Sequence, residues 1–108
     1  VKKKDKPGVL NKVKILNIIK ECQNLEGDVY DKAAFLLREL IQKHPFASGN
    51  RRTAFIVAKD FVLKNKEKFK IKEDPKQARI MIGIREGYYK DSEIKGWIKY
   101  GEIKKFER

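Results

Sequence analysis

Apolar residues recur along this chain at helical spacing, in blocks that short polar turns separate. The first block predicts a helix from about Val9 to Gln23, and Gly27 interrupts the pattern that follows it. The residues that share one face of this helix by spacing are Val9, Val13, Leu16 and Ile19. We therefore expect this face to be buried.

A second block predicts a helix from about Asp28 to Lys43. Either Asp28 or Asp31 can cap its first turn, since both are short acceptors. Pro45 disfavours the helical conformation at His44, so the helix should end just before that residue. Its expected buried stripe consists of Ala33, Ala34, Leu37, Leu40 and Ile41.

A third helix is predicted from about Asn50 to Lys64, and it is expected to be central because it is apolar on more than one face. The residues expected in its buried part are Ala54, Val57, Ala58, Phe61 and Val62.

The C-terminal third contains one extended piece and two further helices. The alternation in 69–72 favours an extended segment, and Asp74-Pro75 is a typical helix start, with Gly87 as its stop. Asp91 or Ser92 should cap a last helix, and the charged tail beyond Gly101 is expected to fray. The core residues expected in these two helices are Ala78, Met81, Ile82, Ile94, Trp97 and Ile98, with Arg85 in the last turn of the first.

Together these patterns predict an all-α fold in one compact domain over residues 1–108, with 1–6 as a frayed basic start. No stretch approaches the roughly 20 apolar residues of a membrane span, so we expect a cytoplasmic protein with no membrane partner. The single cysteine, Cys22, excludes an internal disulfide, and a single histidine excludes a Cys/His metal cluster.

The formal charge of +12 has two interpretations. It could be an electrostatic footprint for nucleic acid or another polyanion, and the lysines in 2–4 and 64–66 would belong to it. Alternatively, it reflects the charge-rich surface of a heat-stable protein. No aromatic residues are visibly interleaved with the lysines as a base-stacking surface would require.

One segment carries candidate chemistry, and its sequence is His44-Pro45-Phe46-Ala47-Ser48-Gly49-Asn50-Arg51-Arg52-Thr53-Ala54. A glycine before a helix start exposes backbone N–H groups at the positive end of the helix dipole, which is a site for phosphate. Arg51 and Arg52 add planar donors suited to phosphate oxygens. His44 is the only histidine, and its ordinary pKa of about 6.5 suits a general base. Phe46 is expected to anchor the loop in the core.

This segment resembles the signature loop of the Fic/Doc family, and the flanking helices resemble its Doc-like branch over about 27–97. The resemblance implies an all-α fold that binds ATP or another nucleoside triphosphate with Mg²⁺. It also implies transfer of a phosphate-containing group to a Ser, Thr or Tyr hydroxyl of a target protein.

The resemblance assigns a role to each residue of the loop. His44 matches the general base, and Phe46 matches the aromatic anchor. Gly49 and Asn50 match the anion-binding turn, and Arg52 matches the phosphate-binding arginine.

Three departures from the family pattern bear on the reaction. Arg51 replaces the glycine of AMP-transferring members, where Doc-like members have lysine, and Phe55 replaces a second arginine. Both favour transfer of a terminal phosphate, as by a kinase, over transfer of AMP. Ser48 stands where the family has an acidic Mg²⁺ ligand, and a hydroxyl is a poorer ligand for that ion.

Several alternatives follow from Ser48. The metal could be held by the phosphates and water, or by Glu26 or Asp28, which are candidates by sequence. The protein could also be a catalytically degenerate relative that binds nucleotide or nucleic acid.

The resemblance also bears on partners. If the protein is a toxin, the resemblance implies a separate antitoxin. Part of the fold could come from a second subunit in a homo-oligomer.

Overall fold

The computed structural model describes residues 12–43 and 50–107, and within these ranges it contains five helices and no strand. The all-α fold class is confirmed. The helices are α1 (Lys12–Asn24), α2 (Val29–Lys43), α3 (Asn50–Lys64), α4 (Pro75–Arg85) and α5 (Asp91–Tyr100). None of them is long and apolar enough to cross a membrane.

α2 is the central helix, because it packs against each of the other four. All five residues of its predicted stripe are buried, and Leu36 joins them. The prediction that the third helix would be central is wrong. Although α3 is apolar on more than one face, Ile56 and Leu63 are about half exposed, and its inner face packs mainly on α2. In α3, Ala54, Ala58 and Val62 are fully buried, whereas Val57 and Phe61 are half-buried.

α1 buries a different face from the one predicted. Val13 and Leu16 are 68% and 63% exposed, whereas Ile18 and Cys22 are buried against the core. Apolar residues lie on two faces of α1, and spacing alone does not reveal which face meets α2. Val9 lies outside the described residues, as do the other residues of 1–11.

Both candidate caps of α2 are used. Asp28 Oδ1 accepts from the backbone N–H of Asp31, and Asp31 Oδ2 accepts from the backbone N–H of Asp28, each at 2.9 Å. This reciprocal arrangement is a capping box. Lys95 Nζ of α5 lies 2.9 Å from Asp31 Oδ1, so the capped end of α2 is also tied to α5.

We expect the charge of Asp31 to stabilise the fold in a pH-dependent way. The hydrogen bond from Lys95, followed by that from the Asp28 backbone, lowers the pKa of Asp31. A lowered folded-state pKa stabilises the protein above the unfolded value of about 3.9, and this contribution is lost as the pH falls through the folded-state pKa.

Asp31→Asn should therefore cost about 0.2–1 kcal/mol at pH 7, as is usual for an exposed pair, and less near pH 2. Urea denaturation at both pH values measures this difference, with the exposed Asp60→Asn as the control variant. An equal cost at both pH values would contradict the charge-based explanation.

The C-terminal elements deviate from prediction in three places. Asp74 caps α4 as expected, accepting from the backbone N–H groups of residues 76 and 77, but Ala78 is exposed. Met81 is buried as predicted, Ile82 is half-buried, and Ile80 and Ile84 complete the buried face. α5 is capped by neither Asp91 nor Ser92. Instead, Glu93 Oε1 accepts from the backbone N–H of Lys90 at 2.8 Å.

The tail beyond Gly101 does not fray in the described residues, because α4 and the segment that follows it hold it. Tyr89 Oη donates to the Lys104 carbonyl at 2.8 Å, and Arg79 Nε donates to the Phe106 carbonyl at 3.1 Å. Phe106 is buried over Gly83, where a Cβ atom would lie 2.9 Å from the Phe106 ring. The burial of Phe106 thus stabilises this segment more than its charged residues favour solvent exposure.

Candidate active site

The predicted loop lies between the end of α2 at Lys43 and the start of α3 at Asn50. Both boundaries agree with the sequence prediction. Residues 44–49 lie outside the described residues, as does the Asn50 side chain, so the roles predicted for them remain predictions. These residues are His44, Phe46, Ser48, Gly49 and Asn50.

The last turn of α2, from which the loop departs, is held by two neighbouring helices. Lys14 Nζ of α1 donates to the Lys43 carbonyl at 2.8 Å. Gln42 Nε2 donates to the Ile84 carbonyl of α4 at 3.0 Å. Because the last carbonyls of a helix lack partners within it, a cation there is stabilising. The chain therefore enters the loop from a fixed position.

A buried carboxylate in the same region was not identified from the sequence. The Glu39 side chain is 8% exposed; its Oε2 lies 2.6 Å from Arg38 Nη1 and its Oε1 lies 3.1 Å from Lys43 Nζ. Arg38 also donates to Asp91 of α5. Burying a charge is costly unless it is paired, so the ion pairs with Arg38 and Lys43 offset the cost of burying the Glu39 carboxylate. The available signal was an acidic residue within the apolar stripe, next to Leu40.

The first turn of α3 is strongly basic and contains no acidic residue. Arg51 and Arg52 are both exposed, and neither forms an ion pair within the described residues. Two guanidinium groups at the positive end of a helix are unfavourable unless an anion is bound there. Side chains on a helix lean toward its N-terminus, which directs both arginines toward the preceding loop. This end of α3 therefore suits a phosphate group.

Buried residues keep this end of α3 in place. Ala54 and Ala58 are fully buried, and Phe55 packs edge-on against Phe69 with ring centroids 5.3 Å apart. Position 55, where AMP-transferring relatives have a second arginine, is therefore a core position in this protein.

The described residues fit a triphosphate better than a metal ion. Glu26 and Asp28, the sequence candidates for the missing metal ligand, lie far from the end of α2 that leads into the loop. Both precede α2, whose 15 residues place them about 20 Å from Lys43. Glu39 is engaged by Arg38 and Lys43, and no group of three potential metal ligands occurs among the described residues. The described residues by themselves therefore offer no complete Mg²⁺ site.

Cys22 contributes no nucleophile to this region. Its side chain is buried, and burial raises the pKa of the thiol. A neutral buried thiol is inert, because the thiolate is the reactive form.

Two features define the class of protein. The domain is helical, and α3, which follows the central helix α2, begins with a basic turn that suits an anion. The sequence model of the Fic/DOC family matches residues 11–62, a range that includes α1, α2 and most of α3. This match supports a Fic/DOC family assignment for the chain. No curated protein matches the chain. Members of this family are Fic-type transferases of nucleotidyl or phosphate groups, and they use a nucleoside triphosphate, often with Mg²⁺.

Proposed function

We propose that this protein transfers the terminal phosphate of ATP, or of another nucleoside triphosphate, to a hydroxyl group of a target protein. The observation that carries the proposal is the first turn of α3, where Arg51 and Arg52 are exposed without an acidic partner among the described residues. A site that neutralises phosphate charge is what phosphoryl transfer most requires of a protein.

In this proposal His44 accepts the proton of the target hydroxyl, whose oxygen then bonds to the γ-phosphorus. The bond from that phosphorus to the bridging oxygen breaks, and the nucleoside diphosphate leaves with the electron pair. Arg52 and the N–H groups at the start of α3 stabilise the charge on the phosphate oxygens. Little covalent chemistry falls to the protein, so positioning supplies most of the acceleration.

Arg51 favours terminal-phosphate transfer over AMP transfer. A large cation at this position, where AMP-transferring relatives have glycine, fills part of the groove that the nucleotide would occupy. The buried Phe55, in place of a second arginine, removes a further phosphate contact.

Arg51→Gly should accordingly increase transfer of the α-phosphate-containing group relative to transfer of the γ-phosphate.

A second candidate is a catalytically silent relative that binds nucleotide without transferring phosphate. Ser48 favours this alternative, since it stands where relatives have an acidic metal ligand. The proposed partners are a target protein with an accessible Ser, Thr or Tyr hydroxyl and, if the protein is a toxin, a separate antitoxin.

Arg52→Ala tests the proposal at its central residue. Loss of a donor that stabilises transition-state charge should lower kcat on the order of 10²–10³-fold. Transfer of γ-labelled phosphate to target protein measures this loss. The matched control is Lys64→Ala, which removes a cation at the opposite end of α3, about 20 Å away. Equal rates for the two variants would exclude Arg52 from the site.

A further inference from the structure

The segment between α3 and α4 presents lysines at alternate positions. Lys68, Lys70 and Lys72 are exposed, whereas Phe69 between them is half-buried and Ile71 is 7% exposed. This period of two is typical of an extended chain, in which alternate residues recur about 6.6 Å apart. We call Lys68, Lys70 and Lys72 the lysine ridge.

The backbone beneath the lysine ridge is fixed by the core. Tyr30 Oη donates to the Lys68 carbonyl at 2.7 Å and accepts from the Lys68 N–H at 3.1 Å. The Lys70 N–H donates to the Ile98 carbonyl of α5 at 2.9 Å. The ridge is therefore formed before any ligand arrives, which lowers the entropy cost of binding.

The charge of the lysine ridge is not neutralised within the described residues. None of its lysines takes part in an ion pair there, and Glu73, the acidic residue next to Lys72, pairs with Lys59 instead. Glu67 is the one acidic residue within 65–72. The whole chain carries a formal net charge of +12, and the ridge is suited to an anionic ligand.

The fold brings the backbone next to an exposed aromatic residue, Tyr100, close to this ridge. Tyr100 is 67% exposed, and Lys99 Nζ lies 5.4 Å from its ring centroid. The next residue, Gly101, has a φ of +81° and approaches Lys70 so closely that a Cβ there would lie 2.9 Å from the Lys70 carbonyl oxygen. The lysine-rich segment itself has no exposed aromatic residue. The one nearby is Tyr100 of α5, thirty residues beyond Lys70.

We propose that the lysine ridge and Tyr100 form a binding surface for single-stranded nucleic acid. The ammonium groups would contact successive backbone phosphates, and one base would stack on the Tyr100 ring. An exposed aromatic among lysines is the combination that binds single strands without sequence preference. A duplex offers no free base face, and an acidic protein gains nothing from stacking, so both fit this surface less well.

This surface uses none of the residues of the proposed transfer site. The ridge segment runs back along α3, where Phe69 packs against Phe55, about one turn after Arg51 and Arg52. The two proposals are also measured differently, one by nucleic-acid binding and the other by phosphate transfer. The two proposals can therefore fail independently.

The test measures binding of a fluorescein-labelled 12-nucleotide oligothymidine by fluorescence anisotropy at several salt concentrations. A variant with Lys68→Gln, Lys70→Gln and Lys72→Gln should bind at least tenfold more weakly. Its slope of log K against log salt should be smaller by about 2, since each phosphate contact contributes about 0.7. The matched control removes the same charge from exposed lysines elsewhere, by Lys12→Gln, Lys20→Gln and Lys105→Gln. It should change affinity less than threefold.

Tyr100→Ala should weaken binding about tenfold, while Tyr100→Phe should preserve it, because stacking requires the ring and not the hydroxyl. All replaced side chains are exposed, and circular dichroism confirms that the variants fold. Equal losses for the two triple variants would overturn the proposal. So would an unchanged affinity for Tyr100→Ala, or stronger binding of a 12-base-pair duplex or of polyglutamate.

Discussion

His44→Ala is expected to reduce phosphate transfer on the order of 10²–10⁴-fold, which is the usual contribution of a general base. The variant removes the only imidazole in the chain, so no other histidine can replace it. Nucleotide affinity should change little, since the proposal assigns phosphate binding to the start of α3. The measurement is transfer from γ-labelled ATP, together with nucleotide binding by calorimetry.

Gln42→Ala provides the control for effects on the preceding helix. It removes a hydrogen bond between α2 and α4 two residues before His44, but no proton acceptor. If both variants lost transfer equally, loop position and not base catalysis would explain the result. Transfer by His44→Ala at the wild-type rate would exclude the histidine from the reaction.

Leu37→Ala is expected to lower the free energy of unfolding by about 2–5 kcal/mol, because it leaves a cavity in the centre of the core. Leu37 is fully buried on α2, the helix that contacts all the others. The matched control is Leu16→Ala on α1, which removes the same atoms from a side chain that is 63% exposed. It should change stability by no more than about 0.5 kcal/mol.

Urea denaturation followed by the fluorescence of the single tryptophan, Trp97, measures both variants. Equal destabilisation by the two substitutions would mean that the face of α1 predicted from the sequence is buried after all.

Helix positions were predictable here because local chemistry determines them. Pro45 ends α2, the aspartates at 28 and 31 cap its start, and Asp74-Pro75 begins α4. Each is a short-range steric or hydrogen-bonding effect, and it acts whatever the rest of the fold does.

Which face of a helix is buried depends on its neighbours, and there the sequence was insufficient. α1 has two apolar faces, and only the position of α2 selects Ile18 and Cys22 over Val13 and Leu16. In the same way, the spacing of residues within α2 could not show that the Glu39 carboxylate would be buried and form ion pairs with Arg38 and Lys43.

Of the two candidate sites, the one built from neighbouring residues was predictable from the sequence, and the one built from distant segments was not. The basic start of α3 was predictable, since Arg51 and Arg52 are adjacent in sequence to the loop motif. The pairing of the lysine ridge with Tyr100 was not, because a backbone hydrogen bond from Lys70 to Ile98 joins distant segments.

The most direct test of the central claim compares ATP labelled at the γ-phosphate with ATP labelled at the α-phosphate. Purified protein is incubated with each, with Mg²⁺ and with a cell extract that supplies target proteins, and His44→Ala serves as the control. The account predicts His44-dependent labelling of protein from the γ-phosphate alone. Labelling from the α-phosphate, or no His44-dependent labelling from either, would contradict it.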